Sequence, residues 1–364
     1  MTKKSDWEKV PGRFLFSKRT SCVIIRRTID GNKKDGFMKC DVSVIIPNFN
    51  GEKFIANCLD SMMVQSFYEF GQLEIIVVDD CSTDASVEMI KTYKNVTLLE
   101  NPVNSGFDRS VNQGILASHG KYCLLLNNDV VVDPDFVRYL YLHIDDDPAI
   151  FSVSSKMVRY YERDKLDDTG DFYNILGWGY KRGDGQTVDS YHKVTPIFSA
   201  CAGAGIYRRS VFSEIGLFDE IFFAYMEDVD IGYRGLINGY KNRYEPKAIC
   251  YHIGSATTAE GQKYSPFKVQ ISARNNVYVA YKNMPLVQLL LNSPFLVLGF
   301  FFKYILFLKR GFGKDYAAGI KAGLKNYKKV KKVPFQVRNL KNYFFIEAQL
   351  ILNAFRMIEN KRMK

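Results

Sequence analysis

The sequence predicts an α/β protein, with a mainly parallel sheet flanked by helices and a C-terminal amphipathic helical region. Three observations carry this. The apolar runs Val42–Ile46, Leu73–Val78 and Tyr122–Leu126 read as strands without a solvent face, as parallel strands are. Segments of helical period alternate with them. Asp79-Asp80 and Asn127-Asn128-Asp129 follow two of these runs, at the carboxyl ends where open α/β sheets bind ligands.

Taken in order, the expected elements are a strand at 42–46, a helix at 52–65, a strand at 73–78, a helix at 84–93, a strand at 96–99, a helix at 107–118 and a strand at 122–126. In the first helix Phe54, Ile55, Cys58, Leu59, Met62 and Met63 recur on one face, which is core packing. After Pro134 the period breaks up. The polar, glycine-bearing stretch 159–194, with Asp168-Thr169-Gly170 inside it, is expected to be a binding loop. Order returns at 197–207, through Gly203-Ala204.

Several polar residues in this frame admit two readings. Asp79 and Asp80 either face a ligand or cap the next helix, as Ser82-Thr83-Asp84 also can. Glu227 and Asp228, set among aromatic residues, either do acid–base chemistry with shifted pKa values or favour the positive end of a helix. His252 closes the apolar run that begins at Ile249, as a structural hydrogen-bonder or as a ligand.

Composition narrows the class. The chain has 364 residues, 47% of them hydrophobic, and a net charge of +11, which excludes wholesale disorder. The charge sits in the tail: from Lys303 onward sixteen Lys/Arg face only Asp315, Glu347 and Glu359. No zinc-finger, RNA-recognition or helix-turn-helix pattern accompanies it, so nucleic acid is not the expected partner. A glycine-rich dinucleotide turn is also absent, since Pro47-Asn48-Phe49-Asn50-Gly51 stands after the first strand. Seven scattered cysteines without a C-x-x-C pair, and a mostly polar stretch from Met1 to Val10, lead us to expect a reducing cytoplasm. Residues 1–40 form a basic extension with one strand candidate, Cys22–Ile25, either a peripheral strand or a membrane-facing arm.

Five motifs in order now resemble glycosyltransferase family 2, in its bacterial rhamnosyltransferase-like members: Val44–Asn50, Val78–Asp84, Asn104–Phe107 with Asn112–Gly114, Asn127–Asp129 and Tyr225–Asp230. The resemblance runs from about Val42 to Pro285. It implies a GT-A fold, that is, a mainly parallel nucleotide-binding sheet, and an inverting, metal-dependent enzyme. Pro47, Asn50, Asp79, Asp80, Gly106 and Asn128 would line the nucleotide. Asp168, Thr169, Gly203, Ala204, Glu227 and Arg274 would lie near donor sugar and acceptor.

Asp228 matches the family's catalytic base. Asp129, with Asn127 and His252, would hold Mn²⁺ or Mg²⁺. Asn127 departs from the family's D-x-D motif, and losing one carboxylate should weaken a hard cation's binding. Imidazole from His252 suits Mn²⁺ better than Mg²⁺. The donor expected from the resemblance is dTDP-rhamnose, with UDP-sugars as alternatives.

The tail extends this. Pro285–Leu308 is long enough to cross a bilayer, which takes about 20 apolar residues, but Asn292, Ser293, Pro294 and Lys303 interrupt it. Tyr316, Ile320, Leu324 and Tyr327 make a basic amphipathic helix with the lysines between them. We therefore expect residues 1–40 as an extension, 41–283 as the catalytic domain and 284–364 as a helical region on an anionic membrane surface. The station would be the cytoplasmic face, peripheral or monotopic, and the acceptor a polyprenyl-diphosphate-linked glycan. Self-association stays open. Two rivals are a sugar-nucleotide nucleotidyltransferase, which would ordinarily carry a basic glycine-rich loop here, and a catalytically silent membrane-bound scaffold.

Overall fold

The computed structural model describes residues 25–26, 40–254 and 264–362. The expectation for residues 1–40 therefore lies mostly outside the described residues, although Ile25–Arg26 form a short strand (β1).

The first half follows the expected alternation: β2 Val42–Asn48, α1 Ile55–Met63, β3 Leu73–Asp79, α2 Ser86–Lys91, β4 Val96–Glu100, α3 Phe107–Ala117 and β5 Tyr122–Leu126. Strands β4, β3, β2 and β5 pair in parallel in that order. Next come β6 Val130–Val132, α4 Phe136–Asp146, β7 Ile150–Arg159, β8 Leu166–Asp168, β9 Asp171–Tyr173, β10 Gly179–Lys181, β11 Thr195–Ile197 and β12 Ala204–Arg208. After them lie α5 Phe212–Ile215, α6 Glu227–Ile237, β13 Lys241–His252, α7 Pro266–Asn283, α8 Leu286–Lys309, α9 Gly313–Asn326 and α10 Leu340–Arg362.

Beyond β5 the sheet becomes mixed, because β12 runs antiparallel to both β5 and β7 while β7 and β13 are parallel. The main sheet runs β1-β4-β3-β2-β5-β12-β7-β13-β11, with β9 and β10 as a separate hairpin. Core side chains lie on both faces. Ile45, Leu125 and Phe151 point to one cluster, with α3 and α6; Val44, Ile46 and Leu124 point to the other, with α1 and α4. Each large aliphatic side chain so buried contributes about 1.5–3 kcal/mol.

Three expectations change here. The loss of period after Pro134 conceals α4 and β7. In β7 the serines 152, 154 and 155 break the apolar run yet are buried; Ser152 donates to Asn242 Oδ1 and Ser155 to the Ala204 carbonyl. Residues 159–194 are no open loop, since β8 joins β7 and β9–β10 form a hairpin. Helix α8 is also continuous through Pro294. A helical proline leaves the carbonyl four residues earlier without its donor, and Ser293 Oγ donates to that carbonyl, Leu290 O, at 2.8 Å.

Candidate functional site

The carboxyl ends of β2, β3 and β5 are tied together by one side chain. Asn48 Nδ2 donates to Asp79 Oδ1 at 2.7 Å and to Ser86 Oγ at 3.0 Å, while its Oδ1 accepts from Asn128 Nδ2 at 2.8 Å. Gly51 is required beside this bridge, because a Cβ there would stand 2.2 Å from Asn48 Oδ1 and 2.4 Å from Asn128 Nδ2.

The two aspartates after β3 hold loops. Asp79 accepts from the Ser82 N–H at 2.9 Å. Asp80 accepts from Asn101 Nδ2 at 2.9 Å, Ser105 N at 3.0 Å and Gly106 N at 2.8 Å. Asn50 Oδ1 accepts from the Thr83 N–H at 2.9 Å. Neither aspartate caps α2, whose N-cap residue makes no side-chain hydrogen bond; both hold loops and so shape the rim on which Pro47 lies half-buried.

A second arm follows β5. The Asn127 N–H donates to Gly203 O, and Ala204 pairs with Leu126, so β12 fixes this turn. The next residue but one, Asp129, is buried, with its Oδ2 3.4 Å from His252 Nε2. His252 arrives by register, since β13 sets it opposite Val130 of β6. Its Nδ1 lies 2.7 Å from Asp167 Oδ2, which Lys181 Nζ also meets at 2.9 Å. Burial opposes charge on His252, but Asp129 and Asp167 outweigh it and raise its pKa to about 9.

This arm fits a divalent cation. Cis ligands at about 2.1 Å from an octahedral ion stand roughly 3 Å apart, close to the Asp129–His252 spacing. Asp167 would orient the imidazole from behind, as partners of metal-bound histidines do. Asn127 adds an amide carbonyl at most.

The third arm opens α6. Phe223, Tyr225 and Met226 all have positive φ, at 66°, 66° and 73°, a conformation that costs a non-glycine residue about 1–3 kcal/mol. The turn is held from α7: Asn275 Nδ2 donates to the carbonyls of Phe222, Ala224 and Tyr225 at 3.0, 2.9 and 2.7 Å. Arg274 Nη2 donates to those of Ile221 and Phe222. The guanidinium expected near donor sugar and acceptor is thus engaged in building this turn.

Out of the turn come Glu227 and Asp228. Asp228 Oδ1 accepts its neighbour Val229's N–H at 2.7 Å, and its carboxyl is hydrogen-bonded to that of Asp171. Ligand atoms of Asp168, Asp171 and Cys201 lie within 4.8 Å of one another. Burial, then Asp168 and Asp228, drive Asp171 well above the usual carboxylate range. Burial lifts Asp168 to about 7. Burial also raises Asp228, but the Asp171 hydrogen bond, the Val229 N–H and Lys181 pull back. The hydrogen bond between the two carboxyls thus raises Asp171 further and lowers Asp228, which favours the proton on Asp171. Glu227 Oε2 is buried without a partner, and burial, then the charge of Asp108, pushes this carboxyl well above the usual range.

The arms form one polar network, running Asp129, His252, Asp167, Lys181 and then on to Asp168, Asp171 and Asp228 through the charge of Lys181. Thr169 stands apart, because its hydroxyl is occupied by Arg182. Sequence reasoning missed Asp171 and Lys181. Asp171 adjoins the Asp167-Asp168-Thr169-Gly170 segment and could have been found by extending it one residue; Lys181 carries no local signal.

Comparison with known proteins agrees with this architecture. Residues 43–216 match the family model Glycosyl transferase family 2. Among curated proteins it is 32% identical over 143 residues to glycosyltransferase GlyA of Streptococcus pneumoniae, covering 38% of this chain and 19% of that one. To the poly-beta-1,6-N-acetyl-D-glucosamine synthase of Staphylococcus epidermidis it is 22% identical over 217 residues, covering 58% and 50%. The chain spans half or less of the length of these relatives.

Two solved structures share the GT-A fold. The mannosyltransferase PcManGT of Pyrobaculum calidifontis, in complex with GDP-Man and Mn²⁺, is 16% identical at TM-score 0.50, covering 80% of this chain and 88% of that one. GalNAc-T7 with UDP, GalNAc and Mn²⁺ is 18% identical at TM-score 0.54, covering 67% and 48%.

Proposed function

We propose that the protein is an inverting, divalent-metal-dependent glycosyltransferase, with residues 41–283 as its catalytic domain and 284–364 as its membrane-associating region. The observation that carries this is the Asp171–Asp228 pair, a half-buried carboxylate beside a carboxylic acid, joined through Lys181 to the Asp129–His252 arm. The nucleotide lies on the rim formed by Pro47, Asn50, Asp79, Asp80, Gly106 and Asn128, with its diphosphate toward Asp129. Donor sugar and acceptor meet between Gly203-Ala204, Asp168 and Glu227.

Asp228 removes the acceptor hydroxyl's proton as that oxygen attacks the anomeric carbon opposite the departing nucleoside diphosphate. One displacement inverts the anomeric configuration, through an oxocarbenium-like transition state. Asp129 and His252 would hold Mn²⁺ or Mg²⁺, which would supply positive charge against the leaving diphosphate. With Asn127 in place of a carboxylate, the free protein would bind this ion weakly and the donor would complete the site.

dTDP-rhamnose is the first donor to test, with UDP-sugars as alternatives. The acceptor is a polyprenyl-diphosphate-linked glycan at the cytoplasmic face of the membrane. Similarity to a poly-beta-1,6-N-acetyl-D-glucosamine synthase supports a glycan acceptor. Assaying nucleoside diphosphate release tests the reading. Asp228→Asn should lower turnover by about 10²–10⁴-fold, the usual size of general-base catalysis, with nucleotide binding by calorimetry retained. Turnover surviving in Asp228→Asn sinks the assignment, and no turnover of any donor by the native protein favours a silent scaffold.

A further inference from the structure

Helix α8 is polar inside and apolar outside. Its protein-facing stripe is Gln288, Asn292, Leu296, Gly299 and Phe307, and the two amides donate to Glu347 of α10 at 2.7 and 2.9 Å. Its outer face shows Leu286, Leu290, Leu291 and Val297 at 63–69% exposure. Helix α10 likewise turns an apolar face outward: Tyr343, Ile346, Leu350, Asn353 and Met357 pack inward, while Phe344, Phe345 and Phe355 stand 62–69% exposed. In water this is the reverse of what a surface helix requires. So large an apolar face marks a docking surface.

Charge identifies the occupant. Between Asp315 and Glu347 there is no acid and there are eight basic residues; Lys328, Lys329 and Lys331 among them are exposed. A second copy of the chain would bring the same positive charge against it. An anionic lipid surface complements it.

Geometry decides the manner. By length and composition together α8 suffices to span a bilayer, and it is the one such helix among the described residues. Its middle, however, is fastened to the β9–β10 hairpin. Trp178 Nε1 donates to Gly299 O at 2.9 Å, and a Cβ on Gly299 would stand 2.1 Å from Leu176 O. Along the same hairpin, α10 is tied by Ile175 N to Leu350 O and by Asn353 Nδ2 to Tyr173 O. Crossing the membrane would drag this hairpin, which begins at Asp171, into hydrocarbon, where backbone groups outside helices find no water.

We propose that α8 and α10 form one in-plane docking face for an anionic bilayer, sunk into one leaflet without crossing it. This deepens the membrane station proposed above and rests on it, but its test reads binding and not sugar transfer, so either can fail alone. The full chain is sedimented with vesicles of phosphatidylcholine, with or without phosphatidylglycerol. Binding should require phosphatidylglycerol. Lys328→Gln with Lys329→Gln should weaken it roughly 25-fold, about five-fold per charge, and Leu290→Ser with Phe345→Ser, both at exposed sites, should abolish it.

In the single variants Leu291→Trp, Leu298→Trp and Leu308→Trp, depth-labelled lipids should quench the added fluorescence at one shallow depth. Equal binding to neutral vesicles, no binding to either, or a Leu298 site at mid-bilayer between two shallow ends overturns the proposal. So does dimerisation in solution that Leu290→Ser removes.

Discussion

Replacing Asn275 by alanine tests how the base is presented. The side chain is fully buried, and its Nδ2 serves three carbonyls of the strained turn. Phe222 O keeps its 2.7 Å bond from Arg274 Nη2, so the carbonyls of Ala224 and Tyr225 lose their donor. At about 1–3 kcal/mol per unsatisfied buried group the sum is roughly 2–6 kcal/mol. These two residues are only half-buried, so entering water and relief of backbone strain recover part of it, and about 3 kcal/mol is expected.

Urea unfolding followed by circular dichroism reads this as a lower midpoint at unchanged slope. Because Glu227 and Asp228 directly follow the turn while the nucleotide rim belongs to β2, β3 and β5, kcat should fall about tenfold, equivalent to roughly 1.4 kcal/mol, with the donor KM little changed. A midpoint shift worth under about 0.5 kcal/mol, with kcat intact, would refute the clamp.

Two further outcomes test the packing behind the site. Gly51→Ala should break the Asn48–Asn128 bridge, since its Cβ would intrude on both side chains; weakened nucleotide binding on calorimetry is expected, and unchanged affinity would exclude a role for the bridge in the nucleotide pocket. Asp230 is buried against Arg234, Lys282 and Asn283. Burial opposes its charge, but the two cations hold its carboxyl below the usual range. A depressed carboxylate stabilises the fold above its unfolded pKa, and this is lost as pH falls through the folded value. Asp230→Asn should therefore cost about 3–5 kcal/mol at neutral pH and progressively less below about pH 4. Equal destabilisation at pH 7 and pH 3 would contradict this.

Much of the sheet was legible from the chain. β5 matches its expected bounds and β2 to β4 differ from theirs by one or two residues at the carboxyl end, because strands buried on both faces show their burial in their own composition. Asp228 at a helix start and His252 at a strand end were likewise readable. β7 was not, because its serines are buried polar groups satisfied by distant partners, and local polarity then misstates burial. Nor was the continuity of α8, where Ser293 offsets the proline beside it.

By itself the sequence determined the strands β2 to β5, the aspartates at their ends and the excess of positive charge in the tail, all properties of residues and their near neighbours. Only the tertiary structure decided that Asp171 shares a proton with Asp228, that Asp167 backs His252, and that the polar stripe of α8 turns inward. Those depend on which distant groups meet in a poorly solvated space, where a neighbouring carboxyl or ammonium sets charge more strongly than the residue's own chemistry does.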